Sequence, residues 1–190
     1  MRIIAGKHKG RKINIQVDKN LRPTRPMVRE AIFSILGSGE FICDNGSLAI
    51  EGAVVLDLFS GSGSFAMEAL SRGASKVILI DNNRDHINLA KYNLESIGEI
   101  SNSLLICCDI EKLCAPKEQV DVVFIDPPYR KNMISTAVNK LFKEKWLKDQ
   151  AIIVIETDLK DQFNLPENFA LISQREYGAT KLHIFKYKFC

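Results

Sequence analysis

Residues 54–66 read VVLDLFSGSGSFA, a short apolar run that enters a glycine-rich turn and continues into a helical pattern. Glycines in such a turn let the backbone bend sharply and let a ligand approach the main chain closely. The stretch therefore predicts a buried strand, a ligand-binding loop and the start of a helix. This is the first unit expected of an open α/β sheet.

Apolar runs and amphipathic segments alternate on the C-terminal side of this unit. The predicted strands are residues 53–58, 76–81, 103–108, 120–126 and 150–156, and the predicted helices are residues 64–72, 83–98 and 132–146. Right-handed crossovers place such helices on both faces of a parallel sheet, so we expect a doubly wound α/β body. Residues 169–176 and 180–187 predict a hairpin at one edge of the sheet.

Charge is distributed unevenly along the chain. Residues 1–29 hold nine lysines or arginines and one acidic residue, Asp18, which gives this segment a net charge of +8. The remainder holds 17 basic and 22 acidic residues, a net charge of −5. A basic arm on an acidic body indicates a polyanionic partner.

The basic arm is expected to be folded. Ile13, Ile15 and Val17 would share one face of a strand, which predicts a hairpin. A helix of about three turns is predicted after it, with Thr24 as N-cap, Pro26 in the first turn and Gly37 after the last turn. Its apolar stripe leaves Arg25 and Arg29 at an exposed end. We therefore divide the chain into an arm (residues 1–37), a connecting loop (38–52) and a body (53–190).

Composition excludes several classes of protein. Hydrophobic residues make up 46% and charged residues 26% of the chain, as in ordinary globular domains. No apolar run approaches the roughly 18 residues of a membrane span, and the N-terminal residues lack a secretory pattern, so we expect a cytoplasmic protein. Five cysteines without a Cys-x-x-Cys pair and three scattered histidines suggest no disulfide framework and no metal. A monomer is the default expectation.

Nearby carboxylates restrict the kind of ligand that the glycine loop can bind. Asp57, just before the loop, would repel a pyrophosphate but suits a ligand that carries an amino group and a sulfonium, such as S-adenosylmethionine. Asp81 ends the next strand, where a carboxylate can bind ribose hydroxyls, and Asp109 follows the third strand, where it could accept from an adenine amine. A dinucleotide site and a purely structural turn are the alternatives.

Residues 126–129 read DPPY and follow a predicted buried strand. Ligands of open α/β sheets lie beyond the carboxyl ends of the strands, so this tetrad should face the same crevice as the glycine loop. Pro127 and Pro128 make a rigid turn that presents Asp126 and a backbone carbonyl as acceptors for an incoming amine. Tyr129 offers a face for an unstacked base. The alternative is a rigid turn that merely ends a strand.

These motifs resemble a known family, the bacterial 16S ribosomal RNA guanine methyltransferases called RsmD. The matching segments are RIIAGK (2–7), GRK (10–12), LRPT (21–24), VREAIF (28–33), LDLFSGSG (56–63), EALSRGA (68–74) and FIDPPY (124–129). This chain has Arg25-Pro26-Met27 after that Arg-Pro-Thr, where relatives commonly have a small or polar residue and then an acid. It also has Asp81 where relatives often have Glu.

The resemblance implies methylation of the exocyclic amine of one guanine in 16S ribosomal RNA, with S-adenosylmethionine as methyl donor. It also implies a Rossmann-like sheet of seven strands with the last one antiparallel. Cofactor contacts fall on Asp57, Phe59, Ser60, Gly61, Gly63, Asp81 and Asp109. Contacts to the target amine fall on Asp126, Pro127, Pro128 and Tyr129. RNA contacts fall on Lys7, Lys9, Arg11, Lys12, Arg22, Thr24, Arg25 and Arg29.

Two other functions remain open from the sequence. An amino-methyltransferase acting on adenine in RNA or DNA, or on a protein glutamine, would use a similar Asp-Pro-Pro-aromatic turn. A non-catalytic RNA-binding protein could keep the fold, although the intact loop and tetrad argue against it. The basic arm favours RNA, because phosphate contacts need clustered cations. The resemblance implies that the partner is 16S ribosomal RNA or the assembling small subunit.

Overall fold

A central sheet of seven strands organises the fold. The computed structural model describes residues 1–15, 26–38, 48–128 and 133–189. In chain order the elements are α1 (Pro26–Leu36), β1 (Val54–Leu58), α2 (Ser64–Ser71), β2 (Lys76–Asp81), α3 (Arg84–Ser96), β3 (Ser103–Cys107), β4 (Val120–Ile125), α4 (Met133–Lys143), β5 (Leu147–Asp158), β6 (Phe169–Tyr177) and β7 (Thr180–Tyr187). The predicted boundaries of these strands and helices lie within three residues of the observed ones, and β5 begins three residues earlier than expected.

The strand order confirms the predicted fold class. The sheet runs β3-β2-β1-β4-β5-β7-β6, and the pairings from β3 to β5 are parallel. The last strand, β7, lies antiparallel between β5 and β6, so the predicted hairpin forms one edge of the sheet. Because the chain reverses its direction of winding between β1 and β4, the carboxyl ends of these two strands border the crevice in which such sheets bind ligands.

Within the described part of the chain, no helix has the length and apolarity needed to cross a bilayer. In the same ranges no group of three or more His, Cys, Asp or Glu side chains is arranged to hold a metal ion. Cys107, Cys108 and Cys114 are free thiols.

The N-terminal residues form a hairpin that packs on the body. Arg2 pairs antiparallel with Lys12, and the Ile3 amide donates to the Arg11 carbonyl at 3.0 Å. Ile3 and Ile13 are buried in one hydrophobic cluster with residues of α1, α2 and the sheet. The hairpin is therefore part of the core, while Val17 and the predicted N-cap Thr24 lie outside the described residues.

The predicted exposure of Arg29 is wrong. Its side chain is fully buried under the hairpin, where one guanidinium nitrogen donates to the Arg2 carbonyl at 2.6 Å and another lies 2.8 Å from the Met1 sulfur. Its Nε lies 3.7 Å from the Glu68 carboxylate. The apolar stripe of α1 places Arg29 beside the core, and the buried carboxylate makes burial of the cation tolerable.

Glu68 joins the hairpin to α2. It is fully buried and accepts hydrogen bonds from the backbone amides of Ile4 (2.8 Å) and Ala5 (3.0 Å) and from Arg72 Nε (2.8 Å). Gly6, the residue after Ala5, has φ +80°, and a Cβ there would lie 1.8 Å from the Ser71 carbonyl oxygen. The hairpin backbone thus approaches α2 more closely than a side chain at Gly6 would permit.

We expect Glu68→Ala to lower the free energy of unfolding by about 3–5 kcal/mol, because it leaves Arg29 as an uncompensated buried cation. Urea denaturation monitored by circular dichroism measures the change. The control is Glu118→Ala, whose carboxylate pairs with Lys76 at a solvent-exposed position and should cost about 1 kcal/mol or less. Equal losses in the two variants would contradict a structural role for Glu68.

Candidate active site

Three aspartates meet at the carboxyl ends of neighbouring strands. Asp57 lies in β1, Asp81 ends β2, and Asp126 follows β4 directly. In the parallel register Leu58 pairs with both Ile80 and Ile125, which places the three carboxylates at one edge of the sheet. The structure therefore brings together three of the four acidic residues that the sequence singled out.

Asp57 is the most buried of the three, with 2% of its surface exposed. Burial raises its pKa well above the ordinary value, against a hydrogen bond from the Ala66 amide (3.2 Å), and the negative charges of Asp126 and Asp81 raise the pKa further. A cation placed beside this group would favour its charged form. The environment is therefore suited to a positively charged ligand.

The glycine loop adopts a left-handed backbone at three positions. Phe59, Gly61 and Gly63 have φ values of 65°, 51° and 73°. A Cβ on Gly63 would lie 2.9 Å from Leu79 Cδ2 and 3.2 Å from Ala90 Cβ, so this glycine allows α2 to begin tightly against β2 and α3. A Cβ on Gly61 would meet nothing within 4 Å, so this glycine borders open space.

Asp81 supports the loop as well as facing the crevice. One carboxylate oxygen accepts from the Gly61 amide and the other from the Asn83 amide, both at 2.9 Å. His86, in the first turn of α3, places Nδ1 3.1 Å from both oxygens. No role was predicted for His86 from the sequence. Its position five residues after a strand-ending aspartate, beyond the N-cap Asn83, was the available signal.

Two further polar groups lie close to this edge of the sheet. The Ser60 hydroxyl is buried and has no hydrogen-bond partner among the described residues. Asp109 is exposed just beyond β3, and one of its oxygens accepts from the Glu111 amide at 3.0 Å. A buried hydroxyl without a protein partner is costly unless a ligand satisfies it. Together with the open side of Gly61, it fits a polar ligand that lies along the loop.

The Asp-Pro-Pro turn occupies its predicted place at the end of β4. Asp126 and Pro127 are half-buried and Pro128 is exposed. The negative charge of Asp126 contributes to the raised pKa of Asp57. Tyr129 lies outside the described residues, so its predicted stacking role remains a prediction.

The residues expected to contact RNA fall into four groups. Lys9, Arg11 and Lys12 are exposed on the hairpin. Lys7 is exposed but pairs with Glu99 at 2.7 Å. Arg22, Thr24 and Arg25 lie outside the described residues, and Arg29 is buried as described above.

Glu99, which lies just after α3, binds the tip of the hairpin. Burial alone would raise its pKa, but hydrogen bonds from His8, Lys7 and Asn102 lower the pKa to about 2. The His8 ring nitrogen lies 2.6 Å from the same carboxylate oxygen that Lys7 contacts. The carboxylate is therefore charged across the ordinary pH range and holds the tip of the hairpin.

Strand order, glycine loop and strand-end aspartates together define a Rossmann-like methyltransferase fold. The family model described as "Conserved hypothetical protein 95" matches residues 1–186. The chain belongs to this family, the RsmD family.

Individual relatives match over nearly the whole chain. An uncharacterized methylase from Rickettsia prowazekii is 34% identical, with 98% of each chain covered. The ribosomal RNA small subunit methyltransferase D of Haemophilus influenzae is 33% identical over 98% of this chain and 93% of its own. The solved structure of the yhhF protein from Escherichia coli superposes with a TM-score of 0.83 at 29% identity, covering 99% and 98% of the two chains.

We expect Gly63→Ala to destabilise the protein by about 1–3 kcal/mol more than Gly52→Ala does, because only the first crowds neighbouring side chains. Both glycines have φ +73°, and a Cβ on Gly52 meets nothing within 4 Å. Gly52→Ala therefore measures the backbone cost alone, about 1–2 kcal/mol. Thermal and urea unfolding of the two variants test the difference, and equal costs would show that the loop is not tightly packed.

Proposed function

We propose that this protein transfers the methyl group of S-adenosylmethionine to the exocyclic amine of a guanine in 16S ribosomal RNA. The observation that carries the proposal is the Asp126-Pro127-Pro128 turn beside the buried Asp57 and the glycine loop. Relatives named ribosomal RNA small subunit methyltransferase D, at 30–33% identity over most of the chain, support the RNA substrate.

S-adenosylmethionine supplies an electrophilic methyl group on a sulfonium. In this chain Asp57 would face the charged amino-acid end of the cofactor, and the open side of Gly61 would accommodate the part of the cofactor between that end and the ribose. Asp81 and the loop it supports would meet the ribose hydroxyls. The residues proposed to hold the cofactor are Asp57, Phe59, Ser60, Gly61, Gly63, Asp81 and Asp109.

Asp126 would act on the incoming amine. An exocyclic amine on a purine ring has its lone pair conjugated into the ring, and acceptors on its two protons can turn that lone pair towards the methyl group. Asp126 and a backbone carbonyl of the rigid turn provide such acceptors. The carboxylate also stabilises the positive charge that develops on nitrogen and can take the proton afterwards. Most of the rate enhancement would come from orientation.

The hairpin would bind the RNA backbone. Lys9, Arg11 and Lys12 form an exposed basic surface, and Arg22, Thr24 and Arg25 continue it in sequence. Phosphate contacts of this kind provide affinity without base specificity. Such a substrate places the protein in the cytoplasm. An adenine or glutamine substrate remains the alternative, and the basic arm favours RNA over a protein.

The decisive test incubates the purified protein with radiolabelled S-adenosylmethionine and small subunits from cells that lack this methylation, followed by nucleoside digestion. N2-methylguanosine in 16S RNA is the expected product. Methyladenosine, or label in protein alone, would overturn the substrate while keeping the fold. Running naked transcript beside assembled subunits also tells whether the RNA surface must be preformed by ribosomal proteins.

We expect Asp126→Ala to lose methyl transfer while keeping the affinity for S-adenosylhomocysteine within about threefold, because the carboxylate acts on the amine rather than on the cofactor. Asp126→Asn, which keeps one acceptor, should retain more activity. Asp161→Ala, after β5, is the control expected to behave as wild type. A parallel collapse of cofactor affinity in Asp126→Ala would refute the assignment.

We expect Arg11→Ala to weaken RNA binding and to reduce the slope of log affinity against log salt by about 1, because one phosphate contact is lost. Filter binding at several salt concentrations measures the slope. Lys160→Ala, exposed in the turn after β5, removes the same charge outside the arm and should leave the slope unchanged. An unaltered slope in Arg11→Ala would place the RNA surface elsewhere.

A further inference from the structure

Asn93 connects the hairpin with the glycine loop through one buried side-chain amide. It lies in α3 and has no exposed surface. Its Oδ1 accepts from the Asn14 amide at 3.0 Å, and its Nδ2 donates to the Asn14 carbonyl at 2.8 Å and to the Ser62 carbonyl at 2.9 Å. One N–H of the amide therefore bonds to the hairpin and the other to the glycine loop.

The geometry of these bonds ties the two segments together. The paired bonds to the Asn14 backbone fix the plane of the amide, and that plane directs the remaining N–H at Ser62, between Gly61 and Gly63. Water cannot replace a lost bond at a fully buried site without rearrangement, so a shift at Asn14 would leave the Ser62 carbonyl without its partner. Asn14 follows the exposed Arg11 and Lys12 within three residues.

We propose that Asn93 is a positioning residue that couples the docked hairpin to the glycine loop, so that RNA binding on the hairpin and cofactor binding at the loop are thermodynamically linked. The inference rests on the proposed function. Linkage requires that each ligand change the affinity of the other by the same factor. Because Asn93 touches neither proposed ligand, its effect must pass through Ser62 on one side and Asn14 on the other.

The primary test measures the affinity for S-adenosylhomocysteine by calorimetry, without RNA. Asn93→Ala should weaken it about tenfold. The matched control is Thr157→Ala, which removes another buried polar side chain, because the Thr157 hydroxyl bonds to the Lys181 carbonyl and to His183 in β7 and not to the hairpin or the loop. Its affinity should stay within twofold of wild type. Equal affinities in the two variants would overturn the inference.

A second measurement tests the same coupling with substitutions in the hairpin. A Cβ at Gly6 collides with Ser71, so Gly6→Ala should displace the hairpin. Gly10 has a similar φ (+84°), but a Cβ there would meet nothing within 4 Å. Gly6→Ala should weaken S-adenosylhomocysteine binding more than Gly10→Ala, and this effect should vanish when Asn93→Ala is already present. This comparison also decides the question if Asn93→Ala alone does not fold, since equal binding by the two glycine variants would overturn the inference.

The coupling itself is measured by repeating the titration with small subunits present. Wild type should show a changed affinity for S-adenosylhomocysteine, and Asn93→Ala should show none. The two proposals fail differently. A wild-type protein that does not bind S-adenosylhomocysteine refutes the proposed function, whereas a wild-type protein that binds it with the same coupling as Asn93→Ala refutes only the role of Asn93.

Discussion

Burial of the Glu68 carboxylate is the constraint on which the arrangement of the chain depends. Removing a charge from water costs several kcal/mol, and the cost is tolerable only if donors surround the group. Here the donors are the Ile4 and Ala5 amides of the hairpin and the Arg72 side chain just after α2, and the buried guanidinium of Arg29 lies 3.7 Å away as a counter-charge. The hairpin must therefore dock for α2 to be stable in its place, and the charged arm becomes part of the core.

That docking brings distant elements into one continuous structure. Phe33 of α1 stacks on Phe65 of α2 with ring centroids 4.8 Å apart, and Phe65 stacks on Phe124 of β4 at 4.1 Å. Phe124 lies two residues before Asp126. The helix of the basic arm, α1, is thus packed through one intervening ring against the strand that presents the proposed catalytic turn. A site assembled on such rigid neighbours can hold an amine in a fixed direction.

The features that sequence predicted are those governed by local periodicity. Apolar runs and glycine turns sufficed for the strands and helices of the α/β body and for the position of Asp57 and Asp126 at the ends of strands. Arg29 was misjudged because a stripe on one helix does not show that a carboxylate 39 residues later will neutralise it. His86 and Asn93 were missed for the same reason, since their partners are set by tertiary packing. Neither residue type carries a spacing signal of its own.

The hairpin docks on partners that follow it by many residues in the chain. The Ile4 amide bonds to a carboxylate 64 residues later in the sequence, and the His8 ring meets one 91 residues later. Chains emerge from the ribosome at about 5–20 residues per second, so the hairpin waits several seconds before Glu99 is available. During that interval its lysines and arginines have none of their intramolecular anchors. The hairpin can therefore take up its docked position only after α2 and α3 have been synthesised.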